Sequence, residues 1–204
     1  MRIGVLGTGM AGRAISGKLA ALGNDVSVGS RTAGDGAVVF ADAAAHGELV
    51  FNCTNGGASL DALAAAGADN LDGKTVIDVA NPLDFSGGGP ALFTDTTDSL
   101  GERIQAAFPE ARVVKSLNTM NCNVMVDPGS VPGDHVVFVC GNDDAAKAQT
   151  SELLGEFGWP AGRVIDLGDI TAARGTEHYL MLWLRLMGVA GGASFNISLS
   201  TMPS

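Results

Sequence analysis

Apolar runs and stretches of helical periodicity alternate along this chain. The run at residues 2–6 is typical of a buried parallel strand. Apolar residues then recur at roughly helical spacing from Met10 to Leu22, and Gly23 ends that pattern. A second apolar run follows at 25–29. Strand, helix and strand in this order predict a βαβ unit at the start of an α/β fold.

The same alternation continues through most of the chain. A Ser99-x-x-Glu102 capping box marks the start of one later helix. We therefore predict a doubly wound parallel sheet over residues 1–168 and a small C-terminal helical segment over 169–204. Beyond residue 29, the predicted strands are 49–53, 75–79, 112–116, 135–140 and 164–167, and the predicted helices are 41–46, 59–66, 99–108, 143–157 and 171–188.

One connection in this pattern is too short for the fold. Only residues 32–36 separate the second strand from the next apolar run, 37–41, whereas a parallel crossover usually needs about a dozen residues or more. Three explanations are open: the crossover is a bare loop, the run is not a parallel strand, or residues have been lost from the chain here. We favour the last, because a loop that covers a phosphate is often mobile and easily lost.

The predicted helix 171–188 is apolar on almost every side, and such a helix is either buried or membrane-spanning. Arg185 within it, Gly188 at its end and a run shorter than the about 20 apolar residues that a bilayer requires argue against the membrane. Burial within the monomer is one alternative. We favour burial against a second copy, and so a homodimer, because one small domain offers little surface to cover this helix.

A glycine-rich turn, Gly7-Thr8-Gly9-Met10-Ala11-Gly12, lies between the first strand and the first helix. In the dinucleotide-binding fingerprint, the first glycine permits the tight turn, the second lets the backbone approach a pyrophosphate, and the third lets the helix pack closely. Free N–H groups at the helix start favour phosphate. We therefore predict that all six residues form a dinucleotide site; a helix start that merely contains glycines is the alternative.

The second strand leads into Ser30 and Arg31, where the fingerprint expects the residue that contacts the adenosine ribose. An acidic residue there would hydrogen-bond a free 2′-hydroxyl and repel a 2′-phosphate. A hydroxyl and a planar guanidinium instead suit a phosphate. These two residues predict NADP(H) rather than NAD(H), with an ordinary surface arginine as the alternative.

The loops after later strands are where the rest of a ligand would lie. We expect Thr54-Asn55-Gly56 and Asn81-Pro82 to flank the nicotinamide and hold its carboxamide, unless they are ordinary turns. Asn118-Thr119-Met120-Asn121 follows another strand and offers amides for the polar rim of a ring and a thioether for its face. We predict that these four residues bind the second substrate.

Composition restricts the partners and the location of the protein. The 204 residues carry a formal net charge of −10 and a pI near 4.5, so nucleic acid and anionic membranes would be repelled. Cys53, Cys122 and Cys140 lack the spacing of a zinc site. We expect a reduced, cytoplasmic setting, with Cys53 and Cys140 in the core and Cys122 as the plausible reactive thiol.

No residue stands out as a general acid or base. Lys115 and Asn118 share a spacing used by hydroxyacid dehydrogenases, but Lys115 falls in a strand rather than on a helix. His46, His135 and His178 lie away from the strand ends where hydride transfer would occur. Hydride exchange between two rings needs alignment more than a positioned proton donor, so we predict no catalytic side chain and a ring as second substrate. Reduction of a small carbonyl or imine, and a non-catalytic NADP-binding sensor, are the alternatives.

Several of these segments resemble the F420-dependent NADP reductases and their bacterial relatives. They are residues 1–12, Gly29-Ser30-Arg31, the Asn118-Thr119 loop and Arg174-x-x-Glu177 before the apolar helix. The resemblance implies a Rossmann domain with a helical cap, often dimeric, that passes hydride between NADPH and F420 or a flavin such as FMN or FAD. By position, it assigns Thr8, Met10, Ser30 and Arg31 to the adenosine and phosphate end, and Asn118, Thr119 and Met120 to the deazaflavin.

Overall fold

A mostly parallel sheet with helices on both faces lies at the centre of the computed structural model, which describes residues 1–202. The strands are β1 (Arg2–Leu6), β2 (Asp25–Ser30), β3 (Val38–Val39), β4 (Leu49–Asn52), β5 (Thr75–Asp78), β6 (Leu83–Asp84), β7 (Ala91–Leu92), β8 (Arg112–Ser116), β9 (Val137–Gly141) and β10 (Val164–Asp166). Their order across the sheet is β10-β9-β8-β5-β4-β1-β2-β3, and β6 and β7 form a separate antiparallel hairpin. The predicted doubly wound α/β fold is confirmed.

The helices cover both faces of this sheet. They are α1 (Met10–Ala21), α2 (Phe40–His46), α3 (Ser59–Ala66), α4 (Ala68–Leu71), α5 (Leu100–Ala107), α6 (Cys122–Val126), α7 (Asp144–Phe157) and α8 (Ala173–Ala190). One core cluster packs α1, α6 and α7 against side chains such as Phe51, and the other packs α2, α3 and α5 against side chains such as Val50. Neighbouring residues of one strand serve opposite faces because side chains alternate along it. Within residues 1–202, no helix is long and apolar enough to cross a membrane.

Two strands differ from the predicted parallel arrangement. β9 is antiparallel to β8, and β10 is parallel to β9. The connection 117–136 contains the five-residue helix α6. It leads the chain into β9 from the edge where β8 ends, so β9 runs opposite to β8.

The short connection after β2 is a bare loop. Residues 31–37 return the chain to the edge of the sheet, where β3 pairs parallel with β2. Gly34 and Ala37 exchange two backbone hydrogen bonds of 2.9 Å, and residues 34–36 all have positive φ. Of the three explanations, the structure corresponds to the bare loop, because a two-residue strand at the sheet edge needs only this tight reversal and no helical crossover. The favoured loss of residues is therefore not needed to explain the short connection.

Most other element boundaries agree with the sequence pattern to within two residues. The apolar run 37–41 is an exception, since only Val38–Val39 is a strand and α2 begins at Phe40. The β6–β7 hairpin and α6 were not predicted, because their segments are rich in turn-forming residues and show no clear period. Helix α8 forms as predicted, and its buried residues all lie between Ala173 and Leu180.

Candidate functional site

Five neighbouring strands end at one edge of the sheet. β2, β1, β4, β5 and β8 are mutually parallel, so the segments that follow them form a row: 31–37, 7–9, 53–58, 79–82 and 117–121. Strand order reverses at β1, which has β2 on one side and β4 on the other. Ligands of open α/β sheets bind at such a switch point, and the predicted site residues all lie on this edge.

A cleft of about 1300 Å³ lies over the β2, β1 and β4 end of that row. The structure brings seven of the predicted cofactor residues to its wall: Gly7, Thr8, Gly9, Ser30, Arg31, Thr54 and Asn55. Helix α3 and the loop 31–37 close the opposite side, through residues such as Asp61 and Gly34. A dinucleotide needs a long groove of this kind, because its two nucleosides lie on either side of a pyrophosphate.

The glycine turn has the geometry of a phosphate-binding turn. A Cβ at Gly12 would lie 2.0 Å from the carbonyl oxygen of Gly7, so this glycine is required by the approach of α1 to β1. A Cβ at Gly9 would meet no atom within 4 Å. Packing within the chain therefore explains why residue 12 is glycine. At Gly9, by contrast, there is open space on the wall of the cleft, next to the N-terminus of α1.

Basic and hydroxyl side chains line the cleft beyond the end of β2. Arg31 is exposed there, and the Ser30 hydroxyl donates a hydrogen bond to the carbonyl of Thr32. Arg13, one residue after the glycine turn, also lines the cleft and is not among the predicted site residues. The cleft wall that contains the predicted 2′-phosphate ligands, Ser30 and Arg31, therefore carries two guanidinium groups, those of Arg13 and Arg31.

The other predicted cofactor residues lie outside the cleft wall. The Met10 residue is 77% exposed, Ala11 is half-buried, and Gly12, Gly56 and Pro82 are buried. Asn81 is half-buried further along the sheet edge, towards β8. Their contacts with a nucleotide stay predictions.

Asn81 and Asn118 hold the exits of β5 and β8 together. Asn81 Nδ2 donates to the Asn118 carbonyl at 2.8 Å, and Asn118 Nδ2 donates to Asn81 Oδ1 at 3.1 Å. Leu117, directly after β8, has φ of 64°, which is strained for a leucine and common at binding sites. Thr119 and Met120 are buried, and Asn121 accepts from the Asn123 N–H at the start of α6. Contact of residues 118–121 with a second substrate stays a prediction.

A row of buried polar side chains crosses three neighbouring strands directly beneath this edge. Asn52, Asp78 and Lys115 are register partners on β4, β5 and β8. Asn52 Nδ2 donates to Asp78 Oδ1 at 2.8 Å, and Lys115 Nζ donates to Asp78 Oδ2 at 2.7 Å and to the Ala80 carbonyl at 2.6 Å. All three polar residues are at most 1% exposed. A buried charge is tolerated here because it is paired and hydrogen-bonded.

Glu177 connects this row to the C-terminal helix. Its Oε1 lies 2.7 Å from Lys115 Nζ, and its carboxylate accepts from the N–H groups of Leu100 and Gly101 at 2.8 and 3.0 Å. Burial alone would lower the pKa of Lys115, but attraction by Asp78 and Glu177 outweighs it, so the pKa lies above its usual value. Lys115 is therefore a buried, charged anchor that cannot touch a substrate.

The sequence does not show that these four residues meet. Asn52, Asp78 and Lys115 each occupy the fourth position of their strand. Lys115 is noticeable in the sequence only for its spacing to Asn118, and Glu177 only in the Arg174-x-x-Glu177 motif. Only the strand register, which the sequence does not contain, reveals that they meet.

Histidine and cysteine provide no acid or base at the cleft. His46, His135 and His178 each have a ring nitrogen within 3.1 Å of a backbone carbonyl oxygen, as expected for structural or surface histidines. Cys53 and Cys140 are buried as predicted, and burial raises the pKa of both thiols, to about 12 for Cys140. Among residues 1–202, no group of His, Cys, Asp and Glu side chains is arranged to hold a metal ion.

Comparison with known proteins gives a family match and a structural match over nearly the whole chain. Residues 2–82 match the model of the family described as NADP oxidoreductase coenzyme F420-dependent. A crystal structure from Arthrobacter sp. FB24, described as a candidate F420-dependent NADP reductase, is 51% identical with a TM-score of 0.93, and the match covers 98% of this chain and 100% of that one.

More distant relatives are longer than this chain. An F420-dependent NADP reductase of Methanocaldococcus jannaschii is 28% identical over 58% of this chain and 52% of its own length. The metalloreductase STEAP3 of Rattus norvegicus is 28% identical over 86% of this chain and 36% of its own length. This chain thus spans about a third to a half of these curated relatives. An imine reductase from Aspergillus terreus shares the fold, at 20% identity and a TM-score of 0.65, over 93% of this chain and 62% of that one.

Proposed function

The chain belongs to the family of F420-dependent NADP oxidoreductases, and from this premise we propose that it exchanges hydride between NADP(H) and the deazaflavin ring of F420. The observation that carries the proposal is the row of loops at the carboxyl edge of the sheet. One end is a cleft with Arg31 and Ser30 and no acidic residue at the end of β2. At the other end, beside the exits of β5 and β8, the side-chain amides of Asn81 and Asn118 are bonded to each other, with Asn118 buried.

The cofactor half of the proposal follows the sheet order. Arg31 binds the 2′-phosphate, assisted by Arg13 and by the Ser30 hydroxyl, which turns from the Thr32 carbonyl to donate to the phosphate. All three residues line the same cleft. The open space at Gly9 and the free N–H groups of α1 receive the pyrophosphate. Thr54 to Gly56 and Asn81 to Pro82 hold the nicotinamide half. Bound NADPH supplies the hydride.

The second half of the proposal rests on what the nicotinamide end lacks. The segments 53–58, 79–82 and 117–121 contain amides, hydroxyls, one buried thiol and apolar groups, but no histidine, lysine or tyrosine. Reduction of a carbonyl or imine usually requires a placed proton donor, and Lys115 is fully buried in a charged cluster. Transfer to a second ring requires stacking and alignment. We assign residues 118–121 to the border of that ring.

The test is turnover of NADPH with F420, FMN and FAD in separate assays, followed by loss of nicotinamide absorbance. We expect turnover with F420 and little or none with the two flavins. Asn118→Ala should raise the KM for F420 more than that for NADPH, and Asn123→Ala, at an exposed asparagine in α6, should change neither. Turnover with flavins alone would identify a different ring, and no turnover with any of the three would remove the proposal.

We also propose a homodimer through the second half of α8, residues 181–190. Leu182 is 54% exposed and Val189 is 87% exposed. In this proposal residues 1–168 bind the cofactor and 169–204 form the dimerising cap, in a cytoplasmic protein with three free cysteines.

A further inference from the structure

We propose that Asp78 is a positioning residue that fixes the Thr54 hydroxyl as a hydrogen-bond acceptor in the cleft, where it binds an N–H or O–H donor on the nicotinamide nucleoside of NADP(H). The inference rests on the proposed function for its ligand. It is carried by the buried row of Asn52, Asp78 and Lys115, which does not itself reach the cleft.

The first step is the orientation of the Asn52 amide. Asp78 is paired with the Lys115 ammonium at 2.7 Å, and a carboxylate in such a pair has no proton to donate. Its Oδ1 therefore accepts from Asn52 Nδ2 at 2.8 Å and from the Ala80 N–H at 3.2 Å. The amide group of Asn52 must turn its NH₂ towards Asp78 and its oxygen away from it.

The second step is the orientation of the Thr54 proton. Asn52 Oδ1 lies 2.6 Å from Thr54 Oγ1 and 3.3 Å from the Thr54 N–H. An amide oxygen can only accept, so the hydroxyl proton of Thr54 points inward. Ser59 does not change this, because its Oγ accepts from Asn52 Nδ2 at 3.1 Å and donates to the Asn55 carbonyl at 3.2 Å. Even a bond from Thr54 to Ser59, at 3.0 Å, would keep the proton inside the network.

The third step concerns what Thr54 offers to a ligand. Thr54 is half-buried and lines the cleft. With its proton engaged inside, its hydroxyl has only lone pairs left for a ligand in the cleft and cannot donate to a phosphate oxygen. Its ligand must be a donor, and the pyrophosphate has none.

The sheet order identifies the part of the cofactor that supplies this donor. Arg31 follows β2, the glycine turn follows β1, and Thr54 follows β4 on the far side of β1. With the 2′-phosphate at β2 and the pyrophosphate at β1, the nicotinamide nucleoside lies over β4. It carries donors of the required kind in its ribose hydroxyls and its carboxamide NH₂.

The test is calorimetric binding of NADP⁺ and of adenosine 2′,5′-bisphosphate, which lacks the nicotinamide nucleoside. Thr54→Val should weaken NADP⁺ by about three- to tenfold, the effect of one neutral hydrogen bond, and leave the bisphosphate unchanged. Asp78→Asn lets the Asn52 amide flip and should weaken NADP⁺ by a smaller factor. In the double variant, Asp78→Asn should add nothing to the loss from Thr54→Val.

Two matched controls accompany these variants. Thr54→Ser keeps the hydroxyl and should bind NADP⁺ as the wild type does. Asp166→Asn makes the same substitution in a more exposed Asp–Lys pair, 2.9 Å from Lys147 Nζ. Asp166 lies on β10, two strands beyond β8, and is absent from the cleft wall, so this variant should leave both affinities unchanged. If Asp78→Asn does not fold, Asn52→Ala removes the acceptor of the Thr54 proton and carries the same expectation.

The 3-acetylpyridine analogue of NADP⁺ has no amide N–H and identifies the donor. If the carboxamide is the donor, Thr54→Val leaves affinity for the analogue unchanged; if a ribose hydroxyl is the donor, it weakens the analogue as much as NADP⁺. The inference is overturned if Thr54→Val leaves NADP⁺ binding intact, or if Asp78→Asn weakens the bisphosphate equally or adds fully to Thr54→Val. Failure of the wild type to bind the bisphosphate would instead remove the proposed cofactor site.

Discussion

At the residue scale, the choice between the two nicotinamide cofactors depends on Arg31. It follows the last residue of β2, lines the cleft, and is exposed. The 2′-phosphate of NADP(H) would lie next to the position where NAD-binding proteins of this fold usually have an acidic residue. A guanidinium there adds attraction and removes repulsion, so it should act on NADPH alone.

Replacement of Arg31 by alanine should weaken NADPH by about 1.5–3 kcal/mol, the range for a hydrogen bond to a charged group, and should leave NADH almost unchanged. Titration of both cofactors into the variant measures the difference. Arg31→Lys should recover part of the loss, because it keeps the charge without the planar fork. Arg2→Ala, outside the cleft wall, is the control. Equal losses for both cofactors would exclude Arg31 as the 2′-phosphate ligand.

Some residues of this site can be predicted from the sequence and others cannot. Gly12 and Arg31 are readable because each has a local reason: a close helix approach, and the end of a strand. Lys115 and Asp78 are not readable in the same way, because their role depends on being register partners of strands 37 residues apart in sequence. A polar residue at the end of an apolar run indicates that its side chain needs a hydrogen-bond or ion-pair partner, but it does not identify that partner.

At the element scale, α8 is attached to α5 by ionic contacts at its first turns. Arg174 Nε donates to Glu102 Oε2 at 2.8 Å, and the Glu177 carboxylate accepts from two N–H groups at the start of α5. Ser99 accepts from the Glu102 N–H at 3.1 Å and so caps α5, as its capping box predicts. The Arg174-x-x-Glu177 motif therefore joins the C-terminal helix to the cofactor-binding layers.

The Arg174–Glu102 pair should make stability depend on pH at the acid side. The hydrogen bond from Arg174 lowers the pKa of Glu102 below its usual 4.5. A lowered folded pKa means stability that is present above pH 4.5 and is lost as pH falls through the lowered value. Urea unfolding from pH 6 downward should show this loss in the wild type.

Arg174→Met should lower the free energy of unfolding near pH 6 by about 1 kcal/mol, since the pair is partly exposed, and should flatten the decline below pH 4.5. Arg174→Lys should give an intermediate curve. Parallel curves for wild type and Arg174→Met would show that the pair is not the origin of the acid sensitivity.

Two connections differ from the prediction, and hydrophobic periodicity does not reveal the path of either. Residues 31–37 make a tight turn between Gly34 and Ala37, and the segment 117–136 leads into β9 antiparallel to β8. Long strands and helices, by contrast, carry their own pattern.

At the scale of the whole molecule, the second half of α8 exposes apolar side chains to solvent. Leu182 and Val189 are exposed there, while Trp183 stacks on Phe195 with ring centroids 5.4 Å apart. Apolar side chains that face water over two helical turns favour association. The dimer proposal follows from this surface.

Leu182→Lys should shift the protein from dimer to monomer, because it places a charge within the proposed interface. Sedimentation velocity over a range of concentrations measures the change. Leu167→Lys, at another exposed leucine (40%) outside α8, should leave the assembly unchanged. A wild-type protein that sediments as a monomer at all concentrations would remove the dimer proposal.

The central claim, direct hydride transfer from NADPH to F420, is tested most directly by isotope transfer. NADPH carrying deuterium at either of the two C4 positions of the nicotinamide is oxidised with F420 in two separate reactions, and the mass of the reduced F420 is measured. The claim predicts that one of the two cofactors, and only one, delivers its deuterium to F420. Reduced F420 without deuterium in both reactions, or no reduction of F420, would contradict it.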